Sequence, residues 1–131
     1  VLLVDLPPGT GDVPLTVMQT LPLAGIIIVS SPQELVTLVV KKAIKMAKKL
    51  DKHIYGVVEN FSFAVCPHCA EKIALFGPAA PDSLATALDL PLLGRLPIDR
   101  QLNQLADTGN IEDYQSREFT ELAEQIKTKL K

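Results

Sequence analysis

Gly25-Ile26-Ile27-Ile28-Val29-Ser30-Ser31-Pro32-Gln33-Glu34 is the stretch that decides the fold. An apolar run with no polar alternation gives way, within a few residues, to a helix start. Strands of this kind are covered on both faces, as in a parallel sheet. Ser31 suits the N-cap, Pro32 the first helical position, and Glu34 closes a capping box. Apolar residues then recur at Leu35, Val39, Ala43, Met46, Ala47 and Leu50, which is a helical period. Lys41, Lys42, Lys45, Lys48, Lys49 and Lys52 crowd the outer face and far end. They read as a solvated face that also suits the helix dipole, with a phosphate- or partner-binding stripe as the alternative.

Residues 1–4, 54–58 and 92–96 are three more runs rich in Val, Ile and Leu. The segments between the runs are long enough for helical crossovers. The alternation predicts an α/β fold, a mostly parallel sheet with helices on both faces. Further helices are predicted over residues 82–88, 99–106 and 116–130. The last carries an apolar stripe of Phe119, Leu122, Ala123, Ile126 and Leu130, with acids early and lysines late. No linker rich in Gly, Ser or Pro divides the chain. At about 150 residues per domain, 131 residues predict one domain over residues 1–131.

Composition narrows the function classes. Thirteen basic and 15 acidic residues leave a net charge of -2, which argues against nucleic-acid binding by the whole surface. The longest apolar run, residues 21–29, is far short of the ~20 residues a membrane span needs. It is also internal, so it is no signal peptide. Two cysteines make no disulfide framework. The expectation is a soluble, cytoplasmic domain with neither membrane nor nucleic acid as partner.

The first chemical feature is Val1-Leu2-Leu3-Val4-Asp5 followed by Leu6-Pro7-Pro8-Gly9-Thr10-Gly11-Asp12. Ligands of α/β folds bind beyond the carboxyl ends of parallel strands. A carboxylate there can hold Mg²⁺ directly or through water. Gly9 and Gly11 let the backbone approach a phosphate. The P-loop pattern G-x-x-x-x-G-K-[ST] is absent from all 131 residues, and Asp12 stands where a lysine would be wanted. The loop therefore fits the metal side and switch loop of a nucleotide site, or else a turn whose Asp only caps the next helix.

The second feature is Cys66-Pro67-His68-Cys69. Two thiols at this spacing can grip one soft metal ion or one cluster edge. Zinc and iron–sulfur sites usually want four ligands. The only histidines are His53, at the start of a strand, and His68, inside the motif. A four-thiolate site then requires a second copy of the chain, which makes Cys66 and Cys69 the bridge of a homodimer. Four readings stand: a cluster, a zinc bridge, a thiol oxidoreductase or inert thiols.

The ordered set Asp5-Leu6-Pro7-Pro8-Gly9-Thr10-Gly11-Asp12, Ser31-Pro32-Gln33-Glu34, Gly56-Val57-Val58-Glu59-Asn60, Cys66-Pro67-His68-Cys69, Phe76-Gly77 and Leu93-Gly94-Arg95-Leu96-Pro97-Ile98-Asp99 resembles one family. It is similar to the C-terminal half to two-thirds of the Mrp/ApbC iron–sulfur cluster carrier ATPases, of the MinD/ParA class of P-loop proteins. The resemblance covers essentially the whole chain and implies roles. Asp5 would hold Mg²⁺ through water. Gly9 would lie on the switch that feels the γ-phosphate of ATP. Asn60 would hydrogen-bond the adenine, and Pro97 to Asp99 would lie near the base. Cys66 and Cys69 would bind a [4Fe–4S] cluster bridged between two subunits, with residues 61–70 as the cluster-binding loop. ATP binding and hydrolysis would change the dimer and so load the cluster or release it to apo-proteins. Zinc could replace the cluster on isolation in air.

The chain departs from the family in three places. The lysine-containing Walker A part is missing, which implies that this chain alone does not hydrolyse ATP. It also implies that residues 1–4 are an interior strand of a larger sheet. Pro78-Ala79-Ala80 stands where many relatives continue a glycine run. Phe61 replaces a methionine, a substitution expected to have little effect.

Overall fold

The computed structural model describes residues 1–76 and 83–130, leaving aside the side chains of residues 34, 35, 83 and 84. Its elements run α1 (Asp12–Thr20), β1 (Ile26–Ser30), α2 (Glu34–Lys49), β2 (Ile54–Val65), β3 (Lys72–Ile73), α3 (Ser83–Leu88), β4 (Leu92–Ile98), α4 (Arg100–Thr108) and α5 (Arg117–Lys129). The segment Gly77-Pro78-Ala79-Ala80 lies outside the described residues.

β2 is the centre of the sheet. β1 pairs in parallel with its first half, from Ile26 opposite Ile54 to Ser30 opposite Glu59. β4 runs parallel to it from Val57–Leu92 to Ala64–Ile98. The two-residue β3 returns antiparallel against Ala64 and Val65. Val57 and Val58, neighbours in a strand, face opposite ways. Val57 packs with Ile28 under Val40 and Ile44 of α2 and Ala85 and Leu88 of α3. Val58 packs with Leu93 and Leu96 under Leu122 and Ile126 of α5. The expected α/β architecture, mostly parallel with helices on both faces, is the one that forms. Val57 and Leu93 are 0% and 1% exposed, and burying each such side chain contributes about 2 kcal/mol.

Several expectations need correction. Residues 1–4 form no strand, and Val1, Leu2 and Leu3 are exposed. β-Propensity makes a strand only beside a ladder partner, and none of the described strands lies next to this run. The run at 54–58 continues as a twelve-residue strand, so half of the segment 61–70 read as a loop is strand. The N-cap of α2 is Gln33 rather than Ser31, because Gln33 is still extended (φ -92°, ψ 135°) and makes no side-chain cap. Pro32 thus lies outside the helix, and the capping-box side chain of Glu34 is outside the description. The buried face of α2 is Val40, Ile44 and Ala47, flanked by Ala43, Met46 and Leu50, while Val39 is exposed. Its β-branched pair, four residues apart, docks on Ile28 and Val57 and sets the rotation. The helix that Asp12 was one candidate to cap is α1, but its N-cap is Gly11 with no side-chain cap; it anchors through Pro14 and Met18, again four residues apart.

Gly56 makes the β2–β4 contact possible. Its φ is +152°, and a Cβ there would stand 2.4 Å from the Pro91 carbonyl oxygen and 2.8 Å from Leu93 Cγ. The neighbouring amide, Val57 N–H, donates to that same carbonyl at 2.9 Å. Gly56→Ala is expected to lower stability by about 3 kcal/mol, through backbone strain and overpacking. Urea unfolding followed by circular dichroism measures it as a lower midpoint with unchanged slope.

Candidate functional site

A polar row crosses the carboxyl end of the parallel strands. Ser30, Glu59 and Arg95 are register partners on β1, β2 and β4. Ser30 and Glu59 are 4% and 3% exposed, an unusual place for a carboxylate. Arg95 Nε donates to Glu59 Oε2 at 2.7 Å. Glu59 Oε1 is buried without a hydrogen-bond partner.

Directly after this row β2 bulges. Glu59 opposes Arg95, yet the next ladder pair is Phe63 with Pro97, so β2 carries two extra residues. Ser62 Oγ donates to the Glu59 carbonyl at 2.7 Å and closes the bulge. Phe61 lies in the left-handed region (φ 58°), strained for a side chain of its size. The Phe-for-Met substitution therefore falls on a backbone-sensitive position. Asn60 Oδ1 accepts from Phe61 N–H at 2.9 Å, which leaves the Asn60 amino group to donate elsewhere.

Asn60, in the bulge of β2, and Pro97, opposite Phe63 on β4, lie on adjacent strands beyond the polar row. Asp99 follows, at the N-cap of α4, where Oδ1 accepts from Gln101 N–H at 2.7 Å. Its Oδ2 accepts from Tyr114 O–H at 2.7 Å. Burial and that bond to Asp99 push the Tyr114 phenol up. Both oxygens of Asp99 have internal partners, so its placement serves α4 first. Asp5 is exposed and stands at no strand end, and Gly9 (φ 96°) turns the Pro-Pro-Gly-Thr-Gly loop ahead of α1. Among the described residues neither makes a hydrogen bond or ion pair with the β2–β4 group.

The cysteines sit on the tip of the hairpin that β2 and β3 form. Cys66 N–H donates to Glu71 O and Ala70 N–H to Cys66 O, both at 2.9 Å, and Ala70 takes φ 58° to close the turn. Cys66 is half-buried and Cys69 exposed. The Cys69 and His68 N–H groups, then the Cys69 thiol, hold the Cys66 thiol below its ordinary value. Successive N–H groups around one sulfur stabilise a thiolate, as anion-binding turns do. The motif is not at a helix N-terminus, so the geometry of a thioredoxin-like oxidant is missing. Among the described residues no group of three or more His, Cys, Asp or Glu is arranged to hold a metal ion. No helix there is long and apolar enough to cross a membrane.

Glu59 and Arg95 appeared in the sequence only as parts of longer motifs. A signal was available: each is a lone charge in a run otherwise built for burial, and such a charge needs a partner.

A family model for ParA, described as the NUBPL iron-transfer P-loop NTPase, matches residues 1–131. The chain belongs to this family. It is 43% identical to an iron–sulfur cluster carrier protein of Clostridium perfringens, over 86% of this chain and 39% of that one. It is 42% identical to a carrier of the same description from Pyrococcus horikoshii, over 99% of this chain and 46% of the relative. An iron–sulfur cluster transfer protein, NUBPL, of Dictyostelium discoideum is 42% identical over 83% of this chain and 34% of its own. The chain spans about half the length, or less, of the curated relatives it matches. Among solved structures, a nucleotide-binding protein of Archaeoglobus fulgidus in complex with ADP, with cobalt found, superposes with a TM-score of 0.73 and 45% identity. That match covers 87% of this chain and 47% of the other.

Alkylation of the metal-free chain tests the Cys66 environment. The rate–pH profile of Cys66 with iodoacetamide, read by peptide mass spectrometry, is expected to have its midpoint below the ordinary thiol value of 9.0. A lowered pKa enlarges the thiolate fraction at neutral pH, so labelling there is faster than for an ordinary thiol of equal access. A midpoint at or above 9.0 contradicts the turn geometry.

Proposed function

We propose that this chain is the cluster-holding part of an iron–sulfur cluster carrier, with residues 1–131 acting as one nucleotide-binding α/β unit. Two copies meet at their hairpin tips, and Cys66 and Cys69 of each grip one [4Fe–4S] cluster for delivery to apo-proteins. The carrying observation is the half-complete donor set: two thiols on an exposed turn, one held below its ordinary pKa by the N–H groups of the turn, and no third ligand among the described residues. Soft thiolates suit iron–sulfur clusters and zinc, and either fills its coordination with a second pair. Two free cysteines suit a reducing compartment, which we take to be the cytoplasm.

The residues present fit a nucleotide in part. Asn60 offers an amino group at the ligand end of β2 toward an adenine, and Pro97 and Asp99 would flank it. Asp5, an exposed carboxylate with no internal partner, would hold Mg²⁺ through water. Gly9 would let the loop backbone approach the terminal phosphate. Mg²⁺, when bound, neutralises phosphate charge. The chain has no Gly-x-x-x-x-Gly-Lys-[Ser/Thr] loop, so by itself it is expected not to turn over ATP. Nucleotide binding in the longer relatives' context would bias the arrangement of the two subunits, and a cluster shared between them would tighten or loosen with it.

Anaerobic reconstitution with iron and sulfide tests the reading. The expected result is broad absorbance around 400 nm that vanishes in the Cys66→Ala, Cys69→Ala double variant. Equal cluster loading by that variant would sink the proposal. One zinc per dimer with no such absorbance would favour a zinc-bridged dimerisation module instead.

A further inference from the structure

We propose that the Glu59–Arg95 ion pair is a positioning device that fixes the cysteine hairpin relative to the ligand end of the sheet. Its functional sense rests on the reading of that hairpin as the cluster site. Glu59 is the last residue of β2 paired with both β1 and β4, and everything beyond it on β2 belongs to the bulge or to the arm that leads to Cys66. The direction of that arm is set where the bulge begins. Three contacts define the place: Arg95 Nε to Glu59 Oε2 at 2.7 Å, Ser62 Oγ to the Glu59 carbonyl at 2.7 Å, and Phe61 N–H to Asn60 Oδ1 at 2.9 Å.

The arrangement carries two local costs side by side. Phe61 is in the left-handed region, and Glu59 Oε1 is buried without a partner. Costs of this kind persist where the local geometry is used. Packing alone would not select it, since an apolar pair of similar volume is often at least as stable as a buried ion pair. What the pair adds is a directional link from β4 to β2 immediately before Asn60 and the arm that leads to the hairpin. Arg95 and Ser62 also line a cleft of about 580 Å³ that Lys72 of β3 and Glu118 of α5 enter from the other side. Lys72 Nζ lies 4.3 Å over the Phe63 ring and 3.9 Å from Glu118, so the return strand of the hairpin borders the same cleft.

Hydrogen exchange of the metal-free chain tests this. The reporters are the amides of Cys66 and Ala70, whose acceptors lie within the hairpin. In Glu59→Ala and in Arg95→Ala they are expected to exchange about tenfold faster relative to the amides of β1. The double variant should fall well short of the sum of the two single effects, because the Glu59–Arg95 interaction is lost in each. Glu59→Gln, which keeps an acceptor for Arg95, should retain most of the protection. Three results would overturn the proposal: unchanged hairpin exchange in folded variants, equal loss of protection in β1 and the hairpin, or single effects that add. Should Glu59→Ala not fold, Arg95→Lys decides, since it keeps the charge and loses the Nε donor; unchanged hairpin exchange there counts against the pair. Failure to load a cluster would count against the cluster reading alone, because exchange is read without metal.

Discussion

Both faces and both edges of the first half of β2 are covered. That constraint organises the rest of the chain. Val57 and Val58 are almost wholly enclosed, one under α2 and α3, the other under α5. A strand so held cannot slip, because a one-residue shift would exchange its two apolar faces and leave Glu59 without Arg95. Its carboxyl end is therefore a fixed point. Asn60 leaves the sheet there, and the strand continues past the bulge into the only paired cysteines of the chain.

Stability and function are distributed unevenly along this one strand. The first half lies in the core, whereas the second half leans on β4 and the two-residue β3. A hairpin tip with little apolar cover belongs to the low-stability end of a structure. That suits the proposed role of the hairpin in accepting and giving up a cluster. The turn still lowers the pKa of the Cys66 thiol through its own N–H groups, so ligand chemistry does not depend on deep burial.

Much of this was legible in the residues. The runs at 25–29, 54–58 and 92–96 read as strands covered on both faces because they lack polar alternation; strands form at all three, but β1 is only partly covered, with Val29 61% exposed. The last helix was expected to run from Ser116, and in the structure Ser116 is its N-cap, the side chain accepting from Phe119 N–H. The Cys66–Cys69 spacing stated its own incompleteness, since no other cysteine exists in the sequence. Other features were hidden for physical reasons. A strand at 1–4 needs a neighbour that local sequence does not display. The bulge at Asn60–Ser62 is a register property between two strands, invisible in either alone. The rotation of α2 follows from docking Val40 and Ile44, whereas the periodic pattern fitted Val39 equally well. Asp99, expected to lie near a base, also caps α4 and accepts from Tyr114. Those bonds could not be seen from spacing.

We propose that this chain completes its thiol site only with a second copy of itself. Native mass spectrometry after anaerobic reconstitution tests it most directly. The account predicts a species of two chains with four iron and four sulfide, as a four-thiolate cluster requires, alongside metal-free monomers. Metal-loaded monomers, or dimers that persist unchanged when the iron and sulfide are stripped, would contradict it.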